Sequence, residues 1–324
     1  MRLLLVNQHY CFLEACSKRM DFNSLVNQGV ITQATRDWLE PQWQKEQADT
    51  KELEETIGGG IFECQDDNDD DDTSGSNHLI PSSITIRGVR FPYCQDDRSV
   101  GHGNRVWHSS IATCFYLKDM VESTTLASSS PSSLHVLELG AGTALPSLFL
   151  AQILAENHIS SSWKPFLHVT DSKNFRNIQQ IIGSIGHQTT TVRDRIHFRV
   201  SPHNWGEGIG VGEDNLSFFD MECLEKEPNR YDVIIVSDCI YNPNYHASLL
   251  ESISRMLKFP DGSGTSGGRA IVSFSLHGNT TNDTVWDFLD MTNAKKSPDQ
   301  KWSLHASPVT NLSKDDASEE DVSM

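Results

Sequence analysis

No run of apolar residues in this chain approaches the length needed to cross a bilayer, and none forms the core of a signal peptide. The opening Met1–Val6 stretch is apolar but gives way at once to Asn7, Gln8 and His9. Cysteine is sparse and unpatterned. The seven cysteines are odd in number and include no Cys-x-x-Cys pair, which argues against a disulfide framework and against a zinc ribbon. His203, His246 and His277 lack His-x-x-x-His or His-x-His spacing, so no metal site is expected and they read as solvent-facing or internally satisfied loop residues. Basic residues are in short supply: 26 Lys and Arg face 44 Asp and Glu, a formal charge of −18. Asp66, Asp67, Asp69–Asp72 and the tail Lys314–Asp321 carry a net ten of these negatives, leaving about −8 on the rest, an ordinary value for a soluble domain. A chain without a basic face is a poor partner for nucleic-acid phosphates, whereas a lysine-bearing protein is compatible with it. These absences predict a soluble, intracellular monomer, cytoplasmic with the nucleus left open, that has no membrane partner.

What is present is an alternation of strand-like and helix-like segments. Residues 1–57 read as a helical N-terminal extension and 58–79 as a flexible acidic linker. A domain over 80–310 follows, and 311–324 reads as a disordered acidic tail. Within the domain the pattern predicts strands over Ile84–Val89, Leu134–Leu139, Phe166–Thr170, Arg195–Val200, Tyr231–Ser237 and Arg269–Ser275. Helices are predicted over Val106–Met120, Leu145–Ala155, Asn174–Ile185, Tyr245–Leu257 and Asp283–Met291. Strands separated by helices of this length require an α/β fold: a doubly wound, mostly parallel, Rossmann-like sheet.

The most informative stretch is His135–Pro146, where an apolar strand breaks at Gly140-Ala141-Gly142 and restarts as a helix. Glycines at such a turn let the backbone approach a ligand, and the helix that follows turns its N-terminus toward it. A dinucleotide site would add a third glycine where Leu145 stands and an acid about 20 residues further on. Here the next strand-end acid is Asp171.

Five motifs occur in order: Gly101–Trp107, Leu137–Ser147 (LELGAGTALPS), Val169–Asp171, Asn204–Gly206, and Tyr231–Tyr241 (YDVIIVSDCIY). Together they resemble the family-16 group of seven-strand S-adenosylmethionine (SAM) methyltransferases, most of whose characterised members methylate lysine in specific proteins. The resemblance covers roughly residues 80–290 and implies SAM as cofactor. It implies that Trp107 lies over the cofactor, that Glu138 with Gly140, Ala141 and Gly142 holds its methionine portion, that Asp171 takes the ribose and that Trp205 lines the adenine pocket. It also implies that Asp238 orients the acceptor amine and that Tyr241 presents an aromatic face to it. The residues alone leave other roles open: Asp171 and Asp238 as helix caps, Trp205 as a core anchor, and Cys239 as packing. A full sheet of this family ends in an antiparallel hairpin, yet after Met291 only Trp302–Val309 reads as a strand. Two other functions compete with protein-lysine methylation. One is a small-molecule, nicotinamide-like N-methyltransferase, suggested by Asn242–His246; the other is a catalytically inactive SAM-binding interaction module.

Overall fold

The computed structural model describes residues 21–58, 79–96, 103, 105–123, 134–156, 164–206, 231–259, 267–276, 280–294 and 322–323. Five parallel strands make the central sheet: β3 (His135–Leu139), β4 (Phe166–Asp171), β5 (His197–Pro202), β6 (Val233–Ser237) and β7 (Arg269–Ser273), in the order β5-β4-β3-β6-β7. The inner strands are apolar and buried on both faces, as a sheet with helices on each side demands. Val136 joins the core on one side, while Leu137 and Leu139 join the core on the other. The strand order reverses between β3 and β6, so the crevice at their carboxyl ends is the topological switch point where open α/β sheets bind ligands.

The helices are α3 (His108–Glu122), α4 (Leu145–Glu156), α5 (Phe175–Gly186), α6 (Thr190–Arg195), α7 (His246–Met256) and α8 (Asn282–Ala294). The strand expected over Arg195–Val200 starts at His197, because Thr189 accepts the Val192 N–H and caps the short α6. The strand expected over Tyr231–Ser237 starts at Val233, and Tyr231 makes only an isolated bridge to Leu257. Among the described residues, no helix is long and apolar enough to cross a membrane.

The single strand expected over Ile84–Val89 is instead the turn of a hairpin, β1 (Leu79–Ile86) and β2 (Val89–Asp96). Arg87 and Gly88, with φ of 46° and 78°, form its two-residue turn, the backbone twist that favours antiparallel hairpins. This hairpin packs across α4 and α5. Phe91 meets the Phe149 ring edge-on at 5.8 Å, and the Cys94 N–H donates to Ser184 Oγ at 2.8 Å. The acidic tail also departs from expectation, since Val322 and Ser323 (β8) pair antiparallel with Ile86 and Thr85. An open strand edge offers unpaired N–H and C=O groups, and the tail supplies them with partners. Trp302–Val309 and most of the acidic linker lie outside the described residues.

The N-terminal helices, α1 (Phe22–Asn27) and α2 (Gln33–Gly58), pack on the domain rather than standing apart. Asp21 caps α1 by accepting the Ser24 N–H at 3.0 Å. Phe22, Ile31 and Leu39 are buried in the main core, with Trp38 and Trp43 packed against it. The Val200 N–H of edge strand β5 donates to the Val30 carbonyl at 2.7 Å, so this segment covers part of the sheet edge. Leu39→Ala is therefore expected to destabilise the full chain by about 2–5 kcal/mol in urea unfolding, as for other core truncations. A fragment starting at residue 79 should unfold at markedly lower urea than the full chain; equal stability would show that the helices only decorate the surface.

Candidate functional site

Four chain segments meet at the carboxyl edge of the sheet. The loop Gly140–Thr143 leaves β3, Asp171 ends β4, Asn204-Trp205-Gly206 follows β5, and Asp238 follows β6. The loop approaches its neighbours so closely that side chains are excluded. A Cβ on Gly140, where φ is 66°, would lie 2.7 Å from Cys239 Sγ and 2.9 Å from Trp205 Cζ2. One on Gly142 would meet the Gly103 carbonyl at 3.0 Å. Trp205 therefore covers the glycine loop, and the Gly101–Trp107 segment touches it through Gly103. Trp107 itself stands at the N-cap of α3, where its carbonyl accepts from Ser110.

Hydrogen bonds hold this arrangement from below. The Ala141 N–H donates to the Thr170 carbonyl at 3.0 Å and the Gly142 N–H to Asp171 Oδ2 at 2.7 Å. The Ala144 N–H turns back to the Ala141 carbonyl. These three N–H groups at and just after the loop are thus committed within the protein. A pyrophosphate would find few donors here. The acids around the loop suit a cationic group instead, and the Cβ-free cradle suits a flat ligand lying close to backbone. Both features fit the sulfonium cofactor that the sequence resemblance implies.

Asp171 does not cap the next helix: Asn174 does, accepting the Arg176 N–H at 3.0 Å. The Asp171 carboxylate is held through Oδ1 by the Ser172 N–H, the Ser172 hydroxyl and, at 2.7 Å, the Asn177 amide. Open acceptor capacity therefore lies mainly on Oδ2. One turn along α5 from Asn177, the buried Gln180 donates to the Gly103 and Gly142 carbonyls and accepts the Asp96 N–H at 3.1 Å. Asn177 and Gln180 were not singled out from sequence. Their spacing of three on the helix facing Asp171 was the available signal.

Asp238 is buried and takes a left-handed φ of 58°, which Asp tolerates better than most residues. It does not cap the 3-10 turn Pro243–Tyr245; Asn242 accepts the Asn244 N–H there. The Asp238 N–H continues the ladder to Ser273, and its Oδ1 accepts the Ser275 N–H at 3.3 Å. Tyr241 is half-buried, and burial above all pushes its phenol up, with electrostatic interactions with Cys239, Asp171, Tyr245 and Asp238 adding to the effect. Tyr241 thus lies within the electrostatic reach of both acids. Burial raises the Cys239 thiol well above its ordinary value, and Asp171, Asp238 and Glu138 raise it further, so it packs beneath Gly140 as a neutral group.

His203 and His246 are both buried. His203 Nε2 lies 3.0 Å from Ser252 Oγ and His246 Nε2 lies 2.9 Å from the Ile240 carbonyl. His277 lies outside the described residues.

Glu138 points into the protein, where its carboxyl accepts the Ser147 N–H at the start of α4. Burial raises its pKa from 4.5 to about 8; hydrogen bonding from Ser147 opposes the rise and the Asp171 charge adds to it. The folded state then holds a proton that the unfolded chain releases above its ordinary value. Stability from this group is present at low pH and is lost as pH rises from about 4.5 through about 8. Glu138→Gln should flatten the fall of thermal stability over that window and leave the variant the more stable protein at its upper end. A melting profile with the wild-type slope would show that Glu138 is ionised in the folded state.

The lysine methyltransferase family matches residues 93–262, about half of the chain. The protein N-terminal and lysine N-methyltransferase EFM7 of Candida albicans is 28% identical over 187 residues, which is 55% of this chain and 60% of that protein. Its namesake from Candida glabrata is 28% identical over 177 residues, 54% of this chain and 56% of that protein. The chain thus spans less than two thirds of the length of these relatives. A crystal structure of the SeMet-substituted CurJ carbon methyltransferase aligns at 12% identity and a TM-score of 0.33, covering 56% of this chain and 39% of that one. The glycine loop, the strand-end acid, the covering tryptophan and the Asp-x-x-Tyr turn all fall inside the matched residues, and the chain belongs to the lysine methyltransferase family.

Proposed function

We propose that the chain is a SAM-dependent N-methyltransferase whose acceptor is an amine of a protein, a lysine side chain first of all. The observation that carries this reading is the meeting of the glycine loop, Asp171, Trp205 and Asp238 at the switch point of the sheet. The names of the curated relatives support a protein amine over nicotinamide, and they add the α-amine at a protein N-terminus to the acceptors worth testing. The cytoplasm, with access to the nucleus, remains the proposed location, and the monomer the proposed state.

Bound SAM would supply an electrophilic methyl group on a sulfonium. The protein's part is then alignment and exclusion of water rather than extensive acid–base chemistry. In this reading Gly140–Gly142 and Trp205 form the bed for the cofactor, and Trp107 covers it from the start of α3. Asp171 accepts the ribose hydroxyls through the capacity left on Oδ2. Glu138, pointing inward, anchors the base of the loop on α4 rather than meeting the methionine end itself. Asp238 accepts an N–H of the neutral amine and fixes its direction, and Tyr241 offers its ring to the charge that develops on nitrogen.

The isolated chain should bind SAM and S-adenosylhomocysteine, but not NAD, in calorimetry. Asp171→Ala should weaken SAM binding by about 1–3 kcal/mol, and Asn177→Ala, which releases one bond to Asp171, by about 0.5–1.5 kcal/mol. Unchanged affinity in both would remove Asp171 from the cofactor site.

Asp238→Ala should keep SAM affinity and lower methyl transfer to a lysine-containing protein acceptor by on the order of 100-fold, because the amine loses its orientation. Tyr241→Phe, which keeps the aromatic face, should lose less. Full transfer by Asp238→Ala would refute its role. Cofactor binding without transfer to any protein, in wild type as well, would favour the inactive interaction module.

A further inference from the structure

Large apolar side chains left in water are concentrated in the segments that follow Asp238 in the chain. Of the six among the described residues, Tyr245, Phe274, Leu276, Trp286 and Met291 all follow Asp238 in the chain and only Ile80 precedes it. Phe274 and Leu276 flank Ser275, whose N–H donates to Asp238 Oδ1. Tyr245 closes the 3-10 turn after Tyr241 and meets Trp205 edge-on at 6.2 Å. Helix α8 packs on that turn, and its Phe288 stands edge-on to His246 at 5.2 Å. His246 in turn contacts the Ile240 carbonyl, one residue before Tyr241. The position of α8 is therefore tied to the Asp-x-x-Tyr turn.

The inner face of α8 buries Thr284, Val285 and Phe288. Asp283, Trp286, Asp287 and Asp290 are exposed, and their spacing of three, four and seven places them on one outer stripe. The helix contains no Lys or Arg. Trp286 is 63% exposed amid these carboxylates. An indole so exposed is a recurrent anchor of interaction surfaces. Carboxylates around it attract a Lys or Arg side chain, whose stem covers the ring while its charge meets both the π face and the acids. A second copy of the chain, placed symmetrically, would oppose three aspartates with three aspartates.

We propose that the outer face of α8, together with Tyr245, Phe274 and Leu276 beside Asp238, docks a basic, Lys- and Arg-bearing segment of the protein substrate. This rests on the methyltransferase reading above. The test uses the full chain and a short fluorescein-labelled peptide in which Lys and Arg alternate with Leu, with a control peptide carrying Glu in their place. In fluorescence anisotropy the basic peptide should bind and the control should not. Trp286→Ala should weaken binding about tenfold. Changing Asp283, Asp287 and Asp290 together to Asn should do likewise and remove most of the salt dependence. SAM affinity by calorimetry and the melting temperature should stay at wild-type values in both variants.

Equal binding of the two peptides, or variants that bind as wild type, would overturn the proposal. So would sedimentation showing that the wild type self-associates and that Trp286→Ala separates the copies. Peptide binding as expected with no methyl transfer to any protein would leave the docking surface standing and remove the activity. Transfer that occurs while the variants leave peptide affinity unchanged would remove the docking surface alone.

Discussion

The bond from the Gly142 N–H to the Asp171 carboxylate, 2.7 Å long, joins the two strand ends on which the candidate site is built. It needs a loop that turns back sharply after β3, and Gly140 with its left-handed φ permits that turn. The same turn leaves room for Trp205 and Cys239 where a side chain would otherwise stand. Placement of the loop, the acid and the covering aromatic is thus one constraint, seen from three residues. Gln180 extends it to the Gly103 loop and to the end of β2, so the hairpin and the site share a common support.

The electrostatics of this edge follow from how unequally its acids are buried and paired. Glu138 faces inward with little beyond the start of α4 to stabilise a charge, and burial holds it protonated near neutral pH. Asp171 is surrounded by donors from Gly142, Ser172 and Asn177. Asp238 is set at a strained backbone position by the ladder to Ser273. In the proposed reading, Glu138 below holds the fold and the donor-bound Asp171 above faces the ligand. A cationic cofactor would enter a pocket whose nearby thiol and phenol are both kept neutral by burial.

Around this edge the chain closes its open surfaces with whatever segments are at hand. The segment before α2 reaches the β5 edge through Val30, and the hairpin covers α4 and α5. Two residues of the acidic tail pair with the free side of β1. Among the described residues, Trp286 of α8 and its neighbours Asp283, Asp287 and Asp290 remain exposed.

The sequence by itself determined the alternation of strands and helices, the glycine turn, the strand-end acids and the ordered motifs of the family. Each of these is local: a period, a turn residue, or a short run at fixed spacing, which chain neighbours alone specify. Ile84–Val89 reads as one strand in sequence, yet Arg87 and Gly88 reverse the chain inside that apolar run. Only the tertiary structure decided that the N-terminal helices belong to the core, since their apolar residues are irregularly spaced and gain meaning from the surface they meet. It also decided that the loop N–H groups are committed internally, that Asn174 and Asn242 take the caps open to Asp171 and Asp238, and that Asn177 and Gln180 support the loop. These are contacts between residues far apart in the chain. Their energy depends on distance and burial, which no spacing along a sequence encodes.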